Sequence, residues 1–110
     1  MEIKIQNKEK YIIIQIFGNL DIYTAVDLKS HFDKINIAKD APLVLELSNL
    51  SYMDSSGIGA LIKLANQVKE ANGILYLTGI KPIIQKVFKI AGLTGYFNVL
   101  SEDDFLSKFS

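Results

Sequence analysis

Asp54-Ser55-Ser56-Gly57-Ile58-Gly59 brings a carboxylate, two hydroxyls and two glycines together in six consecutive residues. A serine in such company can do three things. It can attack a carbonyl if a base withdraws its proton, it can accept a phosphoryl group from a kinase, or it can cap a helix by accepting a backbone N–H. The flanking residues show where the group sits. Leu43, Leu45 and Leu47 alternate with period two, as in a strand, whereas Ile58, Leu61, Ile62, Ala65 and Val68 keep the spacing of one helical face. A strand therefore gives way to a helix near Asp54 to Gly57.

Nucleophilic catalysis fits this corner poorly. A nucleophile elbow needs glycine two residues before its serine, where Met53 stands, and the sole histidine, His31, lies inside the preceding helix beside Ser30 and Phe32. Gly57-Ile58-Gly59 opens like a dinucleotide fingerprint, but Ile62 occupies the place of the third glycine, and there is no Gly-Lys-Ser or Gly-Lys-Thr phosphate loop. The carboxylates are too few and too ill-spaced for a metal cage. The expectation is a protein that is not an enzyme and uses no cofactor or metal. Capping and phosphate acceptance both remain. One cap would suffice, and the free N–H groups and positive dipole end of a helix accommodate an added anion at Ser55. Gly57 and Gly59 read as close packing of this helix on the sheet, or as a flat surface for a partner.

Composition narrows the partners. The chain has 110 residues, 49% hydrophobic and 22% charged, which suits one domain with its own core. Twelve lysines balance twelve carboxylates and arginine is absent, so nucleic-acid binding is not expected. Lys63, Lys69, Lys86 and Lys89 read as solvated helix faces. Cysteine is absent, and no apolar run approaches the ~20 residues of a membrane span. No signal peptide is read at Met1, and the expected location is cytoplasmic, away from membranes.

The elements that must position the corner follow in order. Ile3 and Ile5 mark a first strand, Asn7 to Lys10 a reversal, and Tyr11 to Phe17 a second strand closed by Gly18-Asn19-Leu20-Asp21. Thr24 with Asp27 suggests a capping box for a first helix, with Ala25, Leu28, Phe32 and Ile35 on its inner face and its end near Asn36. Asp40-Ala41-Pro42 breaks the chain before the Leu43 strand. The second helix runs from about Ser56 to Ala71 and stops at Asn72-Gly73, with glycine as the left-handed residue. Ile74 to Thr78 forms the next strand. Pro82 begins a third helix that buries Ile83, Val87, Ile90 and Ala91 and ends at Gly92. Tyr96 to Leu100 forms an edge strand, and Ser101 with Asp104 caps a last helix docked by Phe105, Leu106 and Phe109. Alternating strands and helices predict a mostly parallel α/β sheet in which the Asp21 and Asp54 loops are neighbours beyond the strand ends.

Leu20-Asp21-Ile22-Tyr23-Thr24-Ala25, the Leu43 strand, Tyr52-Met53-Asp54-Ser55-Ser56-Gly57-Ile58-Gly59 and Gly73-Ile74-Leu75-Tyr76-Leu77 together resemble the STAS domain of bacterial anti-sigma factor antagonists, over nearly the whole of residues 1–110. The resemblance implies a mixed four- to five-stranded sheet with about four helices mainly on one face. It implies that Ser55 is phosphorylated by an anti-sigma factor that is itself an ATP-dependent serine kinase, and that a PP2C-type phosphatase reverses this. The unphosphorylated form would bind the anti-sigma factor and free a sigma factor for transcription, contacting it through Asp21, Tyr23, Thr24, Asp54, Ser55, Ser56, Gly57 and Ile58. Asn19 stands where the family often has an acidic residue. A monomer is expected, with weak dimerisation left open. The alternative is a STAS interaction domain of a transporter-associated or stressosome-like assembly, with Ser55 only a cap.

Overall fold

Ile3 and Ile5 alternate with Lys4 and Gln6, and this pattern forms β1 (Glu2–Asn7), which turns through Lys8 to Tyr11 into the antiparallel β2 (Ile12–Leu20). The computed structural model describes residues 2–37, 42–93 and 95–109. After β2 come α1 (Ile22–Asp33), β3 (Pro42–Glu46), β4 (Leu50–Met53), α2 (Ser55–Glu70), β5 (Ile74–Thr78), α3 (Pro82–Ile90), β6 (Asn98–Leu100) and α4 (Glu102–Phe109). Asp40 and Ala41, expected to break the chain before β3, lie outside the described residues.

The strands form one mixed sheet in the order β1-β2-β3-β5-β6, with β4 pairing only with β2. Every pair except β1·β2 is parallel. The crossovers through α1, α2 and α3 each step the same way across the sheet, and a right-handed connection then places all three helices on one face. Ile14, Leu45 and Leu77 lie side by side on that face and are buried beneath Leu28, Phe32, Leu61, Leu64, Val68, Ile84 and Phe88. Among the described helices, α4 alone packs on the other face. Its Phe109 ring lies 4.5 Å from Tyr11 and 6.1 Å from Tyr76, with Phe105 at 5.5 Å from Tyr11. No described helix is long and apolar enough to cross a membrane.

Several details depart from expectation. The run from Leu43 to the corner is two strands, because Ser48 and Asn49 form a turn in which the Glu46 carboxylate accepts from the Ser48 N–H (2.8 Å) and hydroxyl (2.6 Å). α1 ends at Asp33 rather than near Asn36. At the end of α2, Asn72 (φ 62°) and not Gly73 takes the left-handed conformation, and the Gly73 N–H reaches back to the Val68 carbonyl at 2.9 Å. In α3 the buried residues are Ile84 and Phe88, while Ile83, Ile90 and Ala91 face solvent and Val87 is half-buried. Ring contact between Phe88 and Phe97 at 5.5 Å fixes that rotation. Leu106 is likewise exposed. Pro82 at the first turn of α3, Gly92 (φ 72°) after it, and the Ser101 hydroxyl accepting from the Asp104 N–H at 3.0 Å match the sequence reading.

Phe109→Ala deletes the two tyrosine contacts made by Phe109 and leaves that of Phe105 with Tyr11. At about 0.5–1.5 kcal/mol per aromatic pair, we expect a loss of about 1–3 kcal/mol. Amide exchange should speed up in α4 while the central strands β2, β3 and β5 stay protected; equal acceleration throughout would contradict this account of how α4 is held.

Candidate functional site

β2 changes partner partway along. Ile12 to Gln15 pair with β3, the register shifts at Gly18, and Gly18 to Leu20 pair with β4. Gly18 adopts φ 99°, a conformation open mainly to glycine, and its N–H donates to the Asn49 carbonyl at 3.1 Å. The shift brings the parallel ends Leu20 and Met53 side by side. α1 and α2 start from the residues that follow, Asp21 and Asp54, so two helix N-termini open at the same edge of the sheet.

Each is capped by its aspartate. Asp21 Oδ1 accepts from the Tyr23 and Thr24 N–H groups, both at 3.0 Å, while Asp21 N–H donates to Thr24 Oγ1 at 2.9 Å. The box expected with Thr24 as cap and Asp27 as its partner is therefore displaced by one turn. Asp21 is the extended residue (φ −132°), Thr24 is the third helical residue, and Asp27 instead faces His31 Nδ1 at 3.5 Å on the exposed side of α1. Asp54 (φ −103°) caps α2, its Oδ1 accepting from the Gly57 N–H at 3.0 Å. The Asp54 N–H in turn donates to the Leu20 carbonyl at 3.3 Å and ties the two corners together. The bond from the Thr24 N–H, seconded by those from the Tyr23 N–H and the Thr24 hydroxyl, holds the Asp21 carboxyl below the usual carboxylate range.

Around this joint the expected residues converge. Ser55, the first residue of α2, is exposed, and its hydroxyl has no hydrogen-bond partner among the described residues. Ser56 is half-buried and faces α1. Gly57 is buried: a Cβ there would lie 2.5 Å from the Leu20 carbonyl oxygen and 2.6 Å from Met53 Cγ. Ile58 is half-buried against the core, and Tyr23 stands 84% exposed beside the corner. Gly59 departs from the packing expected of it, since a Cβ there meets nothing within 4 Å. Among the described residues there is no group of three or more His, Asp or Glu side chains able to hold a metal. Sequence reasoning missed a groove of about 380 Å³ between α1 and α2, lined by Ile22, Val26, Ser56, Gly59, Ala60 and Lys63 among others. The signal was present: Ile22 and Val26, four residues apart, lie off the stripe that carries Leu28 and Phe32.

The family model of the STAS domain matches residues 2–104. The chain belongs to the STAS domain family. This STAS domain is 26% identical over 99 residues to the anti-sigma-B factor antagonist of Staphylococcus aureus, an alignment covering 90% of this chain and 92% of the relative. Its fold is similar to that of the anti-sigma factor antagonist SpoIIAA in its unphosphorylated form, with TM-score 0.74 and 20% identity over 97% of this chain and 95% of that one. It is similar too to the phosphorylated form of SpoIIAA, a Bacillus cell fate determinant, with TM-score 0.70 and 19% identity over 99% and 100% of the two chains. The mixed sheet with helices mainly on one face expected from the resemblance is found, with six strands where four to five were expected, because the short β4 pairs with the end of β2.

Two outcomes follow from the joint. Gly57→Ala forces a methyl group against a backbone carbonyl, and overpacking of this kind costs about 1–3 kcal/mol; a melting temperature equal to the wild type would show that the two corners can separate freely. Asp21, whose carboxyl titrates lower folded than unfolded, stabilises the domain above the ordinary carboxylate range, and that contribution disappears as pH falls below about 4. Asp21→Asn keeps a capping oxygen but cannot titrate, so thermal melts from about pH 7 to about pH 3 should show a shallower acid decline in the variant.

Proposed function

We propose that this STAS domain is an anti-sigma factor antagonist controlled at Ser55. With the hydroxyl free, the corner formed by Asp21, Tyr23, Thr24 and Asp54 to Ile58 binds an anti-sigma factor that is also an ATP-dependent serine kinase, and the sigma factor is released to transcription. In the kinase reaction Ser55 Oγ bonds to the γ-phosphorus of ATP as the bond to ADP breaks, and the hydroxyl proton passes to a base on the kinase. A PP2C-type phosphatase restores the hydroxyl by hydrolysis. The likeness to an anti-sigma-B factor antagonist over 90% of this chain and 92% of that protein supports the class of function.

The observation that carries the reading is the separation of cap from acceptor. Asp54 caps α2, leaving the Ser55 hydroxyl exposed and without a partner among the described residues. The rival reading, in which Ser55 is merely the cap, gives it a task that Asp54 already performs. A phosphate at Ser55 adds about −1.5 to −2 charges beside the carboxylates of Asp21 and Asp54. A surface that accepts a neutral hydroxyl then meets three anionic groups.

The test uses a candidate serine-kinase anti-sigma factor from the same organism. Incubation with it and ATP should place one phosphate on Ser55, located by mass spectrometry, and none on Ser55→Ala; phosphate elsewhere, or nowhere, defeats the switch. Ser55→Asp should weaken the complex at least about tenfold by calorimetry, or about 1.4 kcal/mol. Ser55→Ala should melt within about 0.5 kcal/mol of wild type, as an exposed residue away from the cap bond does, and a larger loss would return Ser55 to a structural role.

A further inference from the structure

Gly59 poses a problem that the fold does not solve. It lies in the interior of α2, where glycine is less favourable than alanine by about 1 kcal/mol, yet a side chain there would meet nothing within 4 Å. Neither a positive φ nor close packing requires it, in contrast to Gly18 and Gly57. Gly59 lies instead in the open groove between α1 and α2, with Ala25, Ala60 and Leu64. The α1 side of that groove carries Ile22 at 61% and Val26 at 71% exposure. Apolar side chains so exposed and so close together mark an interaction surface more often than a plain exterior.

The groove also has a charge. Among the described residues its ionisable lining side chains are Lys29 and Lys63, and the Asp33 carboxylate stands at the end away from the corner, accepting from the lining Gln67 at 3.0 Å. Lys29 is engaged by Asp33 at 2.9 Å, whereas Lys63 has no ion-pair partner among the described residues. Ser56 closes the end nearest the corner, so anything seated over Ser55 also covers the groove mouth.

We infer that the α1–α2 groove receives an amphipathic helix of the anti-sigma factor, which lays an apolar side chain over Gly59 between Val26 and Ala60 and presents a carboxylate to Lys63. This rests on the function proposed above and names the apolar half of the same contact. Lys63 lies eight residues beyond Ser55, about 12 Å along the helix, which exceeds the ~8 Å screening length at physiological salt. A phosphate on Ser55 therefore acts on the end of the bound helix that covers the corner, and the contact at Lys63 is left to geometry.

Two variants fill or spoil the groove from opposite sides. Gly59→Leu occupies the floor where space is free and raises helix propensity, and Val26→Asp places a charge on the exposed wall. Both are titrated against the anti-sigma factor that phosphorylates Ser55 in the test above, with thermal melting and with wild type and Ser55→Asp measured in parallel. We expect Gly59→Leu to melt at or above the wild-type temperature and to bind at least tenfold more weakly, and Val26→Asp to lose binding likewise. If both variants bind as wild type does while Ser55→Asp fails to bind, the groove is not part of the interface and the switch stands. If wild type itself does not bind, both readings fall.

Discussion

The carbonyl of Leu20 is the joint on which the functional end of this STAS domain turns. It accepts the Asp54 N–H and lies so close to Gly57 that no side chain fits between them. Through this one group the C-terminal end of β2 fixes the first turn of α2. The bulge at Gly18 makes the approach feasible by letting β2 abandon β3 and run beside β4. A straight β2 would have ended against β3, and the two helix starts would have lain a strand apart. The pairing of Asp21 and Asp54 at one edge is thus a consequence of one glycine that bends a strand and another that admits a carbonyl.

That arrangement concentrates like charges, and the helices make it tolerable. Each aspartate sits at the positive end of a helix, where carboxylates are stabilised, and each accepts backbone N–H groups that would otherwise lack partners. Asp21 shows the result in a carboxyl held below its ordinary range by the Thr24 N–H. The same field extends to an anion on Ser55. In the proposed switch a phosphate on Ser55 would be a third anionic group in that field, tolerated by the helix terminus and adding to the negative charge that a partner meets. Stability and recognition therefore respond differently to the same added charge.

Much of this was legible in the residues. The change of period from two to three-or-four located the turn into α2, and Pro82, Gly92 and the Ser101–Asp104 pair marked helix ends that the structure retains. The neighbouring loops followed from parallel topology alone. What was misread shares one cause: several local patterns fitted equally well and distant contacts chose between them. Asp21-x-x-Thr24 and Thr24-x-x-Asp27 both spell a capping box, and β2's length decided for the first. Ile83 and Ile84 each start an apolar stripe, and Phe97, thirteen residues beyond Ile84, selected the second. Gly57 and Gly59 look alike on paper, yet only the position of the Leu20 carbonyl separates a glycine that the fold needs from one that it does not.

The separation of cap from acceptor is what makes a hydroxyl in this position suitable for control. If the phosphate acceptor were also the capping residue, each modification would remove the Gly57 N–H from its partner and loosen the first turn of α2, so signalling and unfolding would be coupled. With the aspartate capping and the serine one place further on, the acceptor adopts helical geometry but contributes no side-chain bond to it. Charge at Ser55 can then change with the backbone held by Asp54 and Leu20. The adjacent capping carboxylate also adds permanent negative charge beside Ser55, so in the proposed switch a phosphate would join a corner that is already acidic.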